Sequence, residues 1–230
     1  MLALICTLAS CSFGFSPEES GGTEGIIYGF SDDGTYAMVL GYEGTEAEIE
    51  IAKSYNGLPV RCIVSRAFSG SKKITSVIIP GSVTSIGDEA FSDCSVLASV
   101  TIPDSVTSIG DEAFYGCTSS VYITDIEKWC NISFDSVSSN PLFYYGNLYL
   151  NEELATNLVI PDSVTSIGDG AFLGCSSLTS VKFNNTDGWY AYDPEDSNAT
   201  VIISSTDLSD SSTVATYLKS TYTSYYWKRT

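Results

Sequence analysis

Short runs in which every second residue is apolar recur along this chain, each followed by Pro and a hydroxyl-rich stretch. Val100-Thr101-Ile102 is the clearest. An alternation of period two predicts a half-buried strand, here with Val100 and Ile102 facing in. Pro103 ends the strand, since it has no N–H to donate to a ladder. Val106 and Ile109 turn apolar groups back toward the same interior, and Gly110 supplies a tight bend. Asp111 is placed to cap one helical turn over Glu112-Ala113-Phe114. Phe114 and Cys117 complete the unit.

The unit repeats. Pro103–Asp111 and Pro161–Asp169 are identical, and Pro80–Asp88 differs from them only at Gly81. Pro80 to Pro103 is a step of 23 residues, as are Ile86 to Ile109, Phe91 to Phe114 and Cys94 to Cys117. The same offset links Ile63 to Ile86 and Phe68 to Phe91. A fixed period in this range predicts a solenoid with one coil per repeat. Single coils cannot bury their apolar edge, whereas stacked coils bury it on one another. The expected ladders are Val77/Val100/Leu158, Ile86/Ile109/Ile167, Phe91/Phe114/Phe172 and Cys94/Cys117/Cys175.

The pattern LxSVTIPDSVTSIGDEAFxGCSS, carried by Leu97–Cys117 and again around Pro161–Leu178, resembles the BspA-like leucine-rich repeats of bacterial surface proteins. The resemblance implies a leucine-rich repeat solenoid, mostly β with short helical turns, built from 23-residue coils and capped at both ends. It further implies display on a bacterial surface and adhesion to a host or community protein or glycan. It brings no catalytic motif and no fixed ligand-contact residues.

On this frame, residues 26–60 are expected to form an amino-terminal cap. Within it, Ile26–Phe30 and Thr35–Leu40 flank Ser31-Asp32-Asp33-Gly34 as a β-hairpin. The solenoid occupies 61–183. Residues 121–157 break the period as a divergent insertion: a strand at Val121–Ile123, a short helix capped by Asp125, and a hairpin around Asn151-Glu152-Glu153. Insertions of this kind project on one face and carry what is specific to a repeat protein. Residues 184–230 are expected to cap the far end, with Asp210 starting a helix that buries Val214, Tyr217 and Leu218. The aromatic content of this tail suits a lid over an open apolar cross-section.

Residues 1–10 read as a targeting segment. Leu2–Ala9 is an apolar run too short to span a bilayer. Leu8-Ala9-Ser10-Cys11 resembles a bacterial lipobox, which implies lipidation of Cys11. Residues 11–25 then form a tether rich in Gly, Ser and Glu. The membrane is expected to be met only through this lipid anchor.

Composition narrows the function classes. The chain carries 28 acidic and 10 basic residues, a net charge of −18, which disfavours nucleic acid. It contains no His, so His-based triads and His metal sites are absent. No Gly-rich phosphate loop ending in Lys-Ser/Thr occurs, and neither cofactor nor metal is expected. Cys94, Cys117 and Cys175 fill equivalent repeat positions as small buried thiols, while Cys62 and Cys130 fall outside that ladder. Carboxylates are the remaining device, with Asp88/Glu89, Asp111/Glu112 and Asp169 expected to stack along the coils.

Binding is expected on the sheet face, where Ile78, Thr101, Tyr122, Val159 and Lys182 point outward. Trp189 of the tail joins them as a candidate contact. The favoured reading is a monomeric binding protein without catalysis. The alternatives are a carboxylate-dependent polysaccharide-active enzyme and a purely structural surface module.

Overall fold

The computed structural model describes residues 21–192, 200–221 and 225–230. Residues 1–10, expected to be a targeting segment, and Cys11 lie outside the described residues.

The described chain enters through an antiparallel hairpin, β1 (Ile26–Phe30) and β2 (Ala37–Tyr42). The next coil supplies β3 (Glu48–Glu50), then the hairpin of β4 (Ser54–Tyr55) and β5 (Leu58–Ile63). Two regular coils follow: β6 (Ser76–Ile78) with β7 (Ser85–Ile86), and β8 (Ser99–Thr101) with β9 (Ser108–Ile109). The divergent coil holds β10 (Ser120–Ile123), the helix α1 (Ile126–Cys130), β11 (Ser133–Phe134) and the hairpin β12 (Leu148–Leu150) and β13 (Glu153–Leu154). After it come β14 (Asn157–Ile160), β15 (Ser166–Ile167) and β16 (Ser180–Phe183). The tail forms β17 (Trp189–Tyr192), β18 (Val201–Ile202), α2 (Ser205–Ser209), α3 (Ser211–Thr216) and β19 (Tyr226–Arg229).

The coils up to the insertion lend strands to two sheets, while β14 and β16 form a separate pair and β15 joins β19, β17 and β18 of the tail. One sheet runs β13-β12-β10-β8-β6-β3 and the other β1-β2-β5-β7-β9-β11. Adjacent coils pair in parallel and in register, Val77 with Val100 and Ile86 with Ile109. The interior between the sheets is apolar, with a column of aromatic rings. Phe68, Phe91 and Phe114 stack with centroids 4.9 and 5.0 Å apart and planes within 11°. The thiol of Cys94 donates to Phe68 O and that of Cys117 to Phe91 O, each at 3.0 Å.

Two expectations are corrected and a third is extended. The ladders do not pass directly from the third coil to the last, because the insertion contributes its own strands. Val100 pairs with Val121, Val121 with Leu148, and Leu158 with Val181. Ile109 pairs with Phe134, while Ile167 faces Trp227 of β19. Second, Asp111 caps no helix. Glu112 takes φ 52°, as does Glu89, and a left-handed residue there forces a turn. Asp88 instead uses its carboxylate between coils, accepting from Asp111 N at 3.1 Å. Third, Gly110 is needed for close approach of coils, since a Cβ there would sit 2.6 Å from Asp88 N and 2.9 Å from Gly87 C.

The insertion stays in the stack because Asn140 replaces a missing backbone contact. In regular coils Phe68 N donates to Ala90 O and Phe91 N to Ala113 O, both at 2.8 Å. Ala171 O is served by side chains instead: Asn140 Nδ2 at 3.1 Å and Trp129 Nε1 at 3.0 Å. Asn140 also donates to Gly170 O at 2.6 Å and accepts from Leu142 N at 2.9 Å.

The far end is covered by the tail. Asp210 accepts from Ser212 N and Thr213 N and starts α3, which buries Val214 and Ala215 against β16. Lys219 donates to Leu178 O of the preceding coil. Trp189 and Trp227 are buried beside Phe183.

Candidate functional site

The alternation that buries Ile49, Val77, Val100, Val121 and Leu148 turns their neighbours outward. Because the strands pair in register, those neighbours form rows. One row is Glu50, Ile78, Thr101, Tyr122, Tyr149 and Leu154, each the cross-strand partner of the next. At about 4.8 Å per strand it extends for roughly 24 Å. The Tyr122 and Tyr149 rings stack at 4.6 Å with planes 13° apart. Ile78 and Leu154 are 49% and 43% exposed. Beside this ridge runs a row of short side chains, Ser76, Ser99 and Ser120, with Glu48 at its end. The result is an apolar ridge above a hydroxyl floor. Exposed acids stand at both ends, Glu48 and Glu50 on one side, Glu152 and Glu153 on the other.

Of the sequence-derived contacts, Ile78, Thr101 and Tyr122 come together in this row. Val159 and Lys182 are partners of each other on the separate β14–β16 sheet, which the β12–β13 hairpin divides from the first. Trp189 takes no part on the sheet face. It is 1% exposed, its indole donates to Asn185 O at 3.0 Å, and its ring packs edge-on against Phe183. It lines a different feature, a cleft of about 630 Å³ in the cap with Asp187, Tyr190, Ile202 and Thr230.

Tyr149 and Leu154 were not singled out from sequence. The strand holding Tyr149 follows Val121 by 27 residues, so the 23-residue offset does not find it. The alternation Leu148-Tyr149-Leu150 is the signal that could have done so.

Glu89 is engaged by Arg66 at 2.5 Å, and this bond holds its carboxyl below the usual range. The carboxyls of Asp33 and Asp210 are likewise lowered, chiefly by the hydroxyls of Ser31 and Ser212. A general acid needs a shift the other way. Among the described residues no group of three or more Cys, Asp or Glu is placed to hold a metal ion. Burial pushes the thiols of Cys130 and Cys175 up, and Cys94, Cys117, Cys130 and Cys175 are all buried.

The family comparison agrees with this architecture. The sequence pattern of the BspA type leucine rich repeat region matches residues 61–144 and 145–193, in six copies. No curated protein matches the chain. A leucine-rich repeat protein of T. pallidum is 26% identical over 69% of this chain and 68% of its own, with a TM-score of 0.47. One from Bacteroides ovatus is 28% identical over 69% of this chain and 40% of its own, also with a TM-score of 0.47. A leucine rich cell surface protein of Faecalibacterium prausnitzii is 24% identical over 77% of this chain and 58% of its own, with a TM-score of 0.40.

Proposed function

The chain belongs to the BspA-type leucine-rich repeat family, and from that premise we propose that it is a surface-displayed adhesion protein that binds a macromolecule and performs no catalysis. The observation carrying this reading is the continuous ridge Ile78-Thr101-Tyr122-Tyr149-Leu154 beside a row of serines. Paired tyrosines offer large apolar contact with hydroxyls at the rim, the residue type that dominates binding hot spots. The ridge is preformed by strand pairing, so little ordering is lost on binding. Its ligand is a host or community protein or glycan, with Val159 and Lys182 extending the contact beyond the hairpin. Lipidation of Cys11 anchors the chain to the bacterial membrane.

The full chain, incubated with an array of matrix proteins and polysaccharides with and without calcium, tests this reading. Saturable retention without breakdown is expected, and Tyr122→Ser with Tyr149→Ser should weaken it about tenfold or more. Breakdown of a polysaccharide, or retention indifferent to both tyrosines, would overturn it. Mass spectrometry of the membrane fraction tests the anchor: an unmodified amino terminus on the mature chain rules it out.

A further inference from the structure

The amino-terminal end of the solenoid covers one sheet edge and leaves the other open. On the first sheet Thr23 lies along β3: its N–H donates to Glu50 O and its Oγ1 accepts from Glu50 N, both at 2.8 Å. On the second sheet β1 is the terminal strand. None of Ile26–Phe30 has a backbone bond on the side away from β2 among the described residues.

Native edges are blunted by charge, by proline, by shortness or by a covering segment. β13 is two residues long and carries Glu153, and β18 is also two residues long. β1 is neither short, charged, proline-bearing nor covered among the described residues, and its register against β2 shifts once, between Ile27 and Tyr28. It is five residues, Ile-Ile-Tyr-Gly-Phe, without charge or proline. Ile27 and Phe30 are 38% and 47% exposed, and Leu40 on the adjoining strand is 45% exposed. The strand is nonetheless held in place. The Tyr28 ring stacks on Tyr55 at 4.7 Å, and its hydroxyl accepts from Ala52 N at 3.0 Å. A fixed edge with open backbone groups and apolar flanks is what strand addition requires: main-chain bonds supply affinity and alternate side chains supply selectivity.

Charge selects the occupant. Exposed Glu24 precedes β1, and exposed Asp32 and Asp33 follow it. Pairing of two copies about Tyr28 would set Glu24 of one against Asp32 of the other, and like charges directly opposed destabilise a ladder. The net charge of −18 adds to that repulsion. We propose that the open edge of β1 docks an extended segment of a partner protein as an added strand, one with alternating apolar residues and Lys or Arg at both ends.

The probe is a fluorescent heptapeptide, Lys-Val-Thr-Val-Thr-Val-Lys, titrated with the full chain and read by polarisation. Saturable binding that weakens with added salt is expected. A version with Glu at both ends should bind about tenfold or more weakly, and a central proline should abolish binding. Ile27→Lys and Phe30→Lys should each weaken binding about tenfold while leaving the circular dichroism unchanged. Tyr122→Ser should leave it unaltered, which separates this edge from the sheet-face ridge. Equal affinity for the Glu-ended peptide, or no binding of the Lys-ended one, would overturn the proposal. So would a concentration-dependent dimer that Phe30→Lys abolishes, since that assigns the edge to a second copy.

Discussion

Replacing Asn140 with Ala removes the side chain that ties the insertion to the last coil, and the structure sets the size of the loss. Asn140 is fully buried. Its truncation leaves Leu142 N without its acceptor, an orphaned donor costing about 1–3 kcal/mol. Gly170 O keeps Leu173 N, and Ala171 O keeps the Trp129 indole, so each of these carbonyls loses one bond of two. At about 0.5–1.5 kcal/mol for each lost bond, the total is about 2–6 kcal/mol. Trp129→Phe alone is milder, because Asn140 still serves Ala171 O. The double variant orphans that carbonyl, so the two changes should be non-additive by about 1–3 kcal/mol. Urea unfolding followed by far-ultraviolet circular dichroism measures all three. Asn140→Asp adds a pH signature. A carboxylate facing two carbonyls in the core has its folded pKa raised above the unfolded value near 3.9. The penalty is therefore smallest below about pH 4 and grows as pH rises through the folded value. A single-variant cost below about 1 kcal/mol, with additive doubles, would refute the role assigned to Asn140.

Other consequences are as direct. Phe91, stacked between Phe68 and Phe114, should cost about 3–5 kcal/mol when replaced by Ala, read as a shift in urea midpoint. Gly110→Ala should cost about 1–3 kcal/mol by pressing a methyl into the preceding coil, whereas Gly81→Ala, with nothing within 4 Å, should be near neutral in the same assay. A thiol reagent should label native Cys62 and reach Cys94, Cys117, Cys130 and Cys175 only after denaturation. The Asp210 carboxyl lies below its ordinary value, so its capping stability is present above about pH 4 and fades as pH falls through the folded value. Hydrogen exchange of Ser211–Thr216 should accelerate in that window, and Asp210→Asn should remove the dependence.

Repetition made the coil legible in the linear sequence. Identical spacing forces identical registers, so the 23-residue offset alone predicts that Val77 lies on Val100, Ile86 on Ile109 and Phe91 on Phe114. Burial of Cys94, Cys117 and Cys175 followed from the same argument. Where the period lapses, the sequence loses its ruler. A 27-residue step to Leu148 hid Tyr149 from the sheet-face row, and the buried Asn140 looked like one more polar residue in a loop. The aromatic tail read first as a lid, with Trp189 also a candidate contact. The place of Trp189 and Trp227 was decided by the last coil, whose apolar end is covered more favourably by rings than by water. The open edge of β1 also belongs to the tertiary structure. Alternation identifies a strand, but only the packing of Thr23 along β3 shows which of two neighbouring edges has been closed. Local pattern thus determined the repeating unit, because its causes lie within one coil. The insertion, the cap and the sheet-face ridge were decided by contacts between segments far apart in sequence, whose partners no local pattern names.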